Sequence, residues 1–244
     1  MKHCIVGDVH GEYTALLNLV AKTPKESRLV FVGDLVDRGS QSANVIQFIR
    51  KHKLACVKGN HEEMMIEYGE AFIHSIENDE PIEQDNKWLR NGGRETLLSY
   101  GLVSQKGKEL IPHVFIKEFI FLFKEDIAWL KHLPLYLELN ITHPASGRPV
   151  VVSHSAIASV WDIRHKNQYA NIFSETVLWR RTQPLDQANI FNVFGHTPHA
   201  YTADMKKHYV NIDTGCYIKG KKGYGLLSAY CVESGAIYSS SDIN

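Results

Sequence analysis

Five short segments of the chain set carboxylates, imidazoles and an amide directly behind apolar runs. They are Gly7-Asp8-Val9-His10-Gly11, Gly33-Asp34-Leu35-Val36-Asp37-Arg38-Gly39, Gly59-Asn60-His61-Glu62, Ser153-His154-Ser155 and Gly195-His196-Thr197. Asp8 and His10 are two residues apart, a spacing that in extended chain points both side chains to one side. A carboxylate and an imidazole converging there suit a divalent first-row metal. Taken alone, the same spacing also describes a strand ending in a turn, with Asp8 capping the next helix.

Asp34 again follows an apolar run and a glycine, and its two oxygens can bridge two cations. Asp37 and Arg38 follow at once, and a guanidinium binds phosphate through two parallel hydrogen bonds. The plain alternative is a surface salt-bridge turn. Asn60 and His61 are adjacent, so on an extended segment one would face a metal and the other a substrate. Asn60 is a weak neutral ligand, sensible where a site must limit its negative charge. His154 and His196 each end an apolar run, where a lone histidine is more often structural. His52, His74, His113, His132, His143, His165, His199 and His208 have no motif around them and are read as structural. Together, Asp, His, Asp, Asn, His and His supply two adjacent metal sites, an arrangement that serves in-line displacement at phosphorus.

The elements that must position these groups follow from the pattern. Residues 3–6, 28–32 and 54–57 are short apolar runs, separated by helical patterns at about 12–22 and 41–52. Repeated strand–loop–helix units imply a largely parallel buried sheet, with functional residues at the carboxyl ends of its strands. Residues 63–134 read as a helical insertion beside the sheet. The remainder returns to strands at 150–153, 190–194, 208–212, 224–232 and 235–239, giving a second, mixed sheet. Residues 239–241 read as frayed. With 244 residues and 44% hydrophobic content, a single domain over 1–244 can bury a sufficient core.

The formal net charge is +0, from 27 basic and 27 acidic residues. That leaves no basic excess for a nucleic acid. No run of about 18 apolar residues proposes a membrane span. The chain passes from Met1 straight into an apolar run, which does not read as a signal peptide. Cys4, Cys56, Cys216 and Cys231 are scattered without paired spacing, and read as reduced thiols of a cytoplasmic protein.

The series GDVHG, GDLVDRG, GNHE, a later histidine and GHT resembles the phosphoprotein phosphatases among the calcineurin-like metallophosphoesterases. GNHEEMM at 59–65, WLRNGG at 88–93, LWRR at 178–181, FGHTP at 194–198 and NIDTG at 211–215 resemble the bacterial and bacteriophage serine/threonine branch. The resemblance implies a four-layer αββα sandwich of two mixed sheets with a helical insertion. It implies two divalent cations, manganese first, with iron and zinc as alternatives. Asp8 and His10 would bind the first cation and Asp34 would bridge both. Asn60, His154 and His196 would complete the second, with Asn60 also near the phosphate. His61 would be the general acid, oriented by Asp37. Arg38 and Arg181 would grip the phosphoryl oxygens, with Arg180 beside Arg181 as the competing position.

On this reading, a metal-activated hydroxide attacks phosphorus while metals and arginines stabilise the equatorial oxygens. The expected substrate is a phosphorylated protein or peptide. The alternative is a dinucleotide polyphosphate such as diadenosine tetraphosphate. A cysteine phosphatase is excluded, because Cys56 is followed by Val-Lys-Gly and not by a C-x5-R loop. A nuclease lacks its basic stripe. An inactive binding module would have lost a ligand or the general acid, and none is missing.

Overall fold

The computed structural model describes residues 2–181 and 184–240. Two five-stranded sheets lie face to face. The first runs in the order β12(Ala236–Ser239), β11(Ser228–Cys231), β1(Lys2–Val6), β2(Ser27–Phe31), β3(Ala55–Cys56). Strands β1, β2 and β3 are parallel, and β11 joins β1 antiparallel with Cys4 opposite Cys231. The second runs β6(Tyr136–Thr142), β7(Pro149–Ser153), β8(Phe191–Phe194), β10(Tyr209–Asn211), β9(Asp204–Lys206). There β7, β8 and β10 are parallel, while β6 and β9 are antiparallel edges.

Strand alternation sorts the side chains into layers. Ile5 and Val30 of the first sheet, with Val32 just past β2, meet Val150, Val152, Val193 and Val210 of the second in a dry inter-sheet core. Cys4, Val6, Leu29 and Phe31 point the other way, under helices α1(Tyr13–Lys22), α2(Ser42–Lys51), α3(Asn60–Glu77), α4(Arg94–Ser99) and α5(Ile116–Lys131). Val151 faces outward onto Phe173 and Val177 of α6(Ala170–Trp179). Each such side chain stabilises the sandwich by roughly 1.5–3 kcal/mol when buried. The layers are therefore helix, sheet, sheet, helix, as expected.

Several readings need correction. The insertion is not wholly helical: β4(Val103–Lys106) and β5(Glu109–Pro112) form an antiparallel hairpin between α4 and α5. Gly107, at φ 63°, turns it between two lysines. The strand expected at 224–232 begins only at Ser228, because Gly220, Gly223 and Gly225 all take positive φ and break extension before it. Cys4 and Cys231, expected as reduced thiols, are joined as a disulfide across β1 and β11, while Cys56 and Cys216 are free and buried. Ser239 closes β12 rather than fraying, and Ser240 exchanges hydrogen bonds with Leu227 at 2.9 and 3.1 Å. Ser241 lies outside the described residues. Among the described residues, no helix is long and apolar enough to cross a membrane.

Candidate metal centre

The parallel strands of both sheets end at one edge of the sandwich, and the candidate residues sit in the loops that leave them. Asp8 follows β1, Asp34 follows β2, Asn60 and His61 follow β3, His154 follows β7 and His196 follows β8. All six are almost fully buried. The loops turn sharply. His10, Asp34, Asp37, Arg38 and His196 have φ between 47° and 71°, a left-handed conformation that costs a non-glycine residue about 1 kcal/mol or more. Such strain persists where surrounding contacts over-determine it, and here it gathers at one site.

Two local expectations change. Asp8 and His10 do not converge by strand alternation. The chain has left β1, and the left-handed turn at His10 brings the ring round. Asn60 and His61 are not on extended chain. They open α3, where successive side chains diverge by about 100° rather than facing opposite ways.

Glycine makes room for the carboxylates. A Cβ on Gly195 would fall 1.9 Å from Asp8 Oδ1, and one on Gly59 would fall 2.2 Å from Asp34 Oδ1. Asp8 accepts the His196 backbone N–H at 3.0 Å, and Asp34 accepts that of His61 at 3.1 Å. The two strand-end loops of each pair therefore close on one another through a buried carboxylate.

The imidazoles define the donor set that faces the cavity. His10 Nδ1 donates to the Val36 carbonyl and His154 Nδ1 to the Val32 carbonyl, both at 3.0 Å. His196 Nε2 donates to the Trp179 carbonyl at 3.2 Å. Each bond fixes a tautomer and leaves the other nitrogen as a lone pair aimed inward, the usual support of a metal-binding histidine. Those lone pairs face other acceptors. His154 Nε2 lies 3.0 Å from His196 Nδ1, 2.9 Å from Asn60 Oδ1 and 3.4 Å from Asp34 Oδ1. His10 Nε2 lies 3.5 Å from Asp34 Oδ2. Acceptors converging without a donor repel one another unless a cation stands between them. The donor set of nitrogens and oxygens suits a divalent first-row metal.

Two tight donor clusters share Asp34: His10, Asp34 and His61, and Asp34, His154 and His196. The second contains the ligands expected for it. The first includes His61, where Asp8 was expected. Asp8 lies beside it, anchored on His196. His61 is held differently from the other histidines: its Nδ1 meets Asp37 Oδ2 at 2.7 Å and its Nε2 meets Arg38 Nη2 at 3.1 Å.

Electrostatics follow the geometry. Burial, with the charges of Asp213 and Asp34, pushes Asp8 well above the carboxylate range. Burial lowers His10, with His61 adding to it, and lowers His154. It drives His196 down to about 3 with the help of His154. These shifts favour the neutral form of the three rings, the form in which a histidine can bind a metal. Burial alone would raise Asp34, but the imidazoles gathered on it, His154 foremost, hold it below its usual value. Burial alone would also lower His61. Asp34's charge and the Asp37 hydrogen bond outweigh that and raise it.

Several supporting residues were not singled out in the sequence. Glu62, fully buried, accepts three backbone N–H bonds: Asp34 and Gly59 at 2.8 Å and Leu35 at 2.7 Å. It fastens the Asp34 loop to the start of α3, and burial with Asp34's charge raises it to about 7. A glutamate at the third helical position is the signal that could have identified it. Asp213 lines the same cavity and accepts the Gly215 N–H at 2.8 Å. Asp37 is completed by Trp88 Nε1 at 2.9 Å and Thr96 Oγ1 at 2.7 Å, both from the insertion. The Arg38 guanidinium lies 4.0 Å over the Tyr217 ring. Arg38 and Arg181 both line the central cavity, and Arg180 instead pairs with Glu175 on α6.

Comparison with known proteins agrees with this layout. The family model for the calcineurin-like phosphoesterases matches residues 1–214. Serine/threonine-protein phosphatase 1 of Salmonella typhimurium is 26% identical over 227 residues, covering 89% of this chain and 88% of that protein. The asymmetrical bis(5'-nucleosyl)-tetraphosphatase PrpE of Oceanobacillus iheyensis is 28% identical over 257 residues, covering 94% and 88%. Among solved structures, a serine/threonine phosphatase from Saccharomyces cerevisiae superposes with a TM-score of 0.59 at 14% identity, covering 100% of this chain and 81% of that one.

Proposed function

The chain belongs to the calcineurin-like phosphoesterases, a family of metal-dependent hydrolases, and from that membership we propose that it hydrolyses phosphate monoesters on serine and threonine side chains of proteins. The observation that carries this reading is the setting of His61. Its Nδ1 is fixed by Asp37, and its Nε2 opens on the cavity that Arg38 and Arg181 also line. A terminal phosphate presents three non-bridging oxygens, enough for a metal pair and two guanidiniums. An internal anhydride phosphorus presents only two.

Asp8, His10, Asp34, Asn60, His154 and His196 would hold two divalent cations, for which manganese is the metal to test first. When bound, these would act as Lewis acids that activate water and offset charge at phosphorus. The chain's own groups supply the rest. Arg38 donates to His61 Nε2 in this structure. Once the guanidinium turns to a phosphoryl oxygen, that nitrogen is released to carry a proton. Asp37 and Asp34 favour the protonated ring, which then gives its Nε2 proton to the leaving alkoxide. Asn60, on the first turn of α3, is the neutral group beside the same oxygens.

The second reading is a dinucleotide polyphosphate hydrolase. It is favoured by the relative of that activity, which aligns over 94% of this chain. One experiment separates them. Metal-free protein is reloaded with Mn²⁺ and given a phosphoserine and phosphothreonine peptide panel beside diadenosine tetraphosphate. Higher kcat/KM on the peptides supports the phosphatase, and a clear preference for the dinucleotide promotes the alternative.

A further inference from the structure

Lys87 belongs to the insertion, and Trp179 ends α6, the helix packed on the outer face of the second sheet. The Lys87 ammonium sits 3.8 Å from the centroid of the Trp179 indole. Each residue adjoins a different part of the site. Lys87 is followed by Trp88, whose indole holds Asp37. Trp179 gives its carbonyl to His196, and two residues later Arg181 lines the cavity. The Trp179 ring also packs against the core that contains Trp88 and Leu89, although its helix belongs to the opposite layer. The chain between Trp179 and the cavity is extended at Arg180 (φ −82°, ψ 134°). Arg181 itself is exposed and makes no side-chain hydrogen bond among the described residues. Beyond its charge facing Asp213 across the cavity, its position follows from where Trp179 is anchored.

We propose that Lys87 is a positioning residue: its ammonium on Trp179 clasps the insertion to the end of α6 and so sets Arg181 against the phosphate pocket. Lys87 does not line the cavity and acts only through Trp179. The pair is charge on aromatic face, so an arginine can replace the lysine and an apolar residue of equal length cannot. The clasp rests on the phosphatase reading only for the identity of the group bound, a terminal phosphate.

The test uses the full chain loaded with Mn²⁺ in three forms: unaltered, Lys87→Met and Lys87→Arg. Orthophosphate affinity is measured by calorimetry, and KM and kcat on an aryl phosphate by steady-state kinetics. Lys87→Met should weaken orthophosphate binding about three- to tenfold, the span of an interaction near 1 kcal/mol. KM should rise by a similar factor, and kcat should change less. Lys87→Arg should return both to within about twofold of the unaltered chain. In a background of Arg181→Ala, Lys87→Met should have little further effect on orthophosphate binding, because the two act through one contact. Unchanged orthophosphate affinity in Lys87→Met overturns the clasp. So does an arginine variant as weak as the methionine one, or full additivity with Arg181→Ala. Because orthophosphate binding needs no turnover, a chain that prefers dinucleotides would refute the phosphatase reading while leaving this result to decide the clasp.

Discussion

Trp88 donates its indole N–H to Asp37 across 2.9 Å, from a position 51 residues further along the chain. The bond ties the insertion to the carboxylate whose other oxygen holds His61, the proposed acid. Trp88→Phe keeps most of the ring packing and deletes the donor. It should lower kcat on alkyl phosphates by about tenfold with metal content and KM unchanged. It should cost about 1–3 kcal/mol of stability, because Asp37 loses a buried partner. Chemical denaturation beside steady-state kinetics measures both. A variant with normal kcat would mean that Thr96 alone suffices to orient Asp37.

Metal binding should be required and should expel a proton. Protein stripped of metal should hydrolyse no aryl phosphate, and Mn²⁺ should restore turnover. In the metal-free chain, burial and the charges of Asp213 and Asp34 push Asp8 well above the usual carboxylate range, favouring its protonated form. A ligand must be a carboxylate, so loading releases that proton, and apparent affinity rises with pH up to the raised pKa. His10, His154 and His196 are already lowered to neutrality and release none. Calorimetry at neutral pH in buffers of different ionisation enthalpy should detect the release, and Asp8→Asn should reduce it, the remainder coming from Asp213, raised to about 7 in the same cavity. Full activity in excess chelator after verified metal removal would contradict the requirement.

His61→Asn should lower turnover of alkyl phosphates by roughly 10²–10⁴ while metal content stays intact. The loss should shrink on an aryl phosphate, whose leaving group needs less protonation. Asp34's charge and the Asp37 hydrogen bond raise the ring in the metal-free chain. Cations on Asp34 would offset the first and leave the second, so the alkaline limb of kcat on alkyl phosphates is identified with His61 by its disappearance in the variant. Equal losses on both substrates would argue against the acid role. Lost metal would make His61 a ligand, as its place beside His10 and Asp34 also allows.

Arg181→Ala should raise KM for phosphopeptides by about tenfold or more, the cost of a charge-assisted contact. Arg180→Ala should be nearly silent, since Arg180 is exposed and pairs with Glu175 at the surface. Side-by-side kinetics checks the assignment, and the reverse pattern would transfer the role to Arg180.

The ligand candidates were legible because each carries its chemistry in its own residue type and stands directly behind an apolar run. The sandwich was legible because strands such as Val150–Val152 are apolar on both faces, as strands buried between layers must be. What escaped is long-range or weakly patterned. Nothing local to Trp88 says that its indole reaches Asp37. The β4–β5 hairpin buries only Val103 and Leu110, so it shows no alternation and reads as charged surface. Strand β6 does alternate, with Leu137, Leu139 and Ile141 toward the inter-sheet core and Glu138, Asn140 and Thr142 exposed, so its sequence carries a strand signal that the reading above leaves out. Left-handed backbone at Asp34 or His196 cannot be read from those residue types, because it is imposed by contacts with distant loops.

The central place of β1 in its sheet has a consequence for how the molecule assembles. One flank of β1 is satisfied early by β2, but its other flank waits for β11, with Cys4 and Cys231 separated by 227 residues. Until then β1 presents an unpaired row of N–H and C=O groups, which invites pairing between molecules. Closing so long a loop is also slow. A growing chain thus carries Asp8, His10, Asp34 and His61 long before His196 and β11 can enclose them. Ribosome-bound or truncated chains ending before residue 228 should therefore be the aggregation-prone species, and adding the missing segment in trans should rescue them.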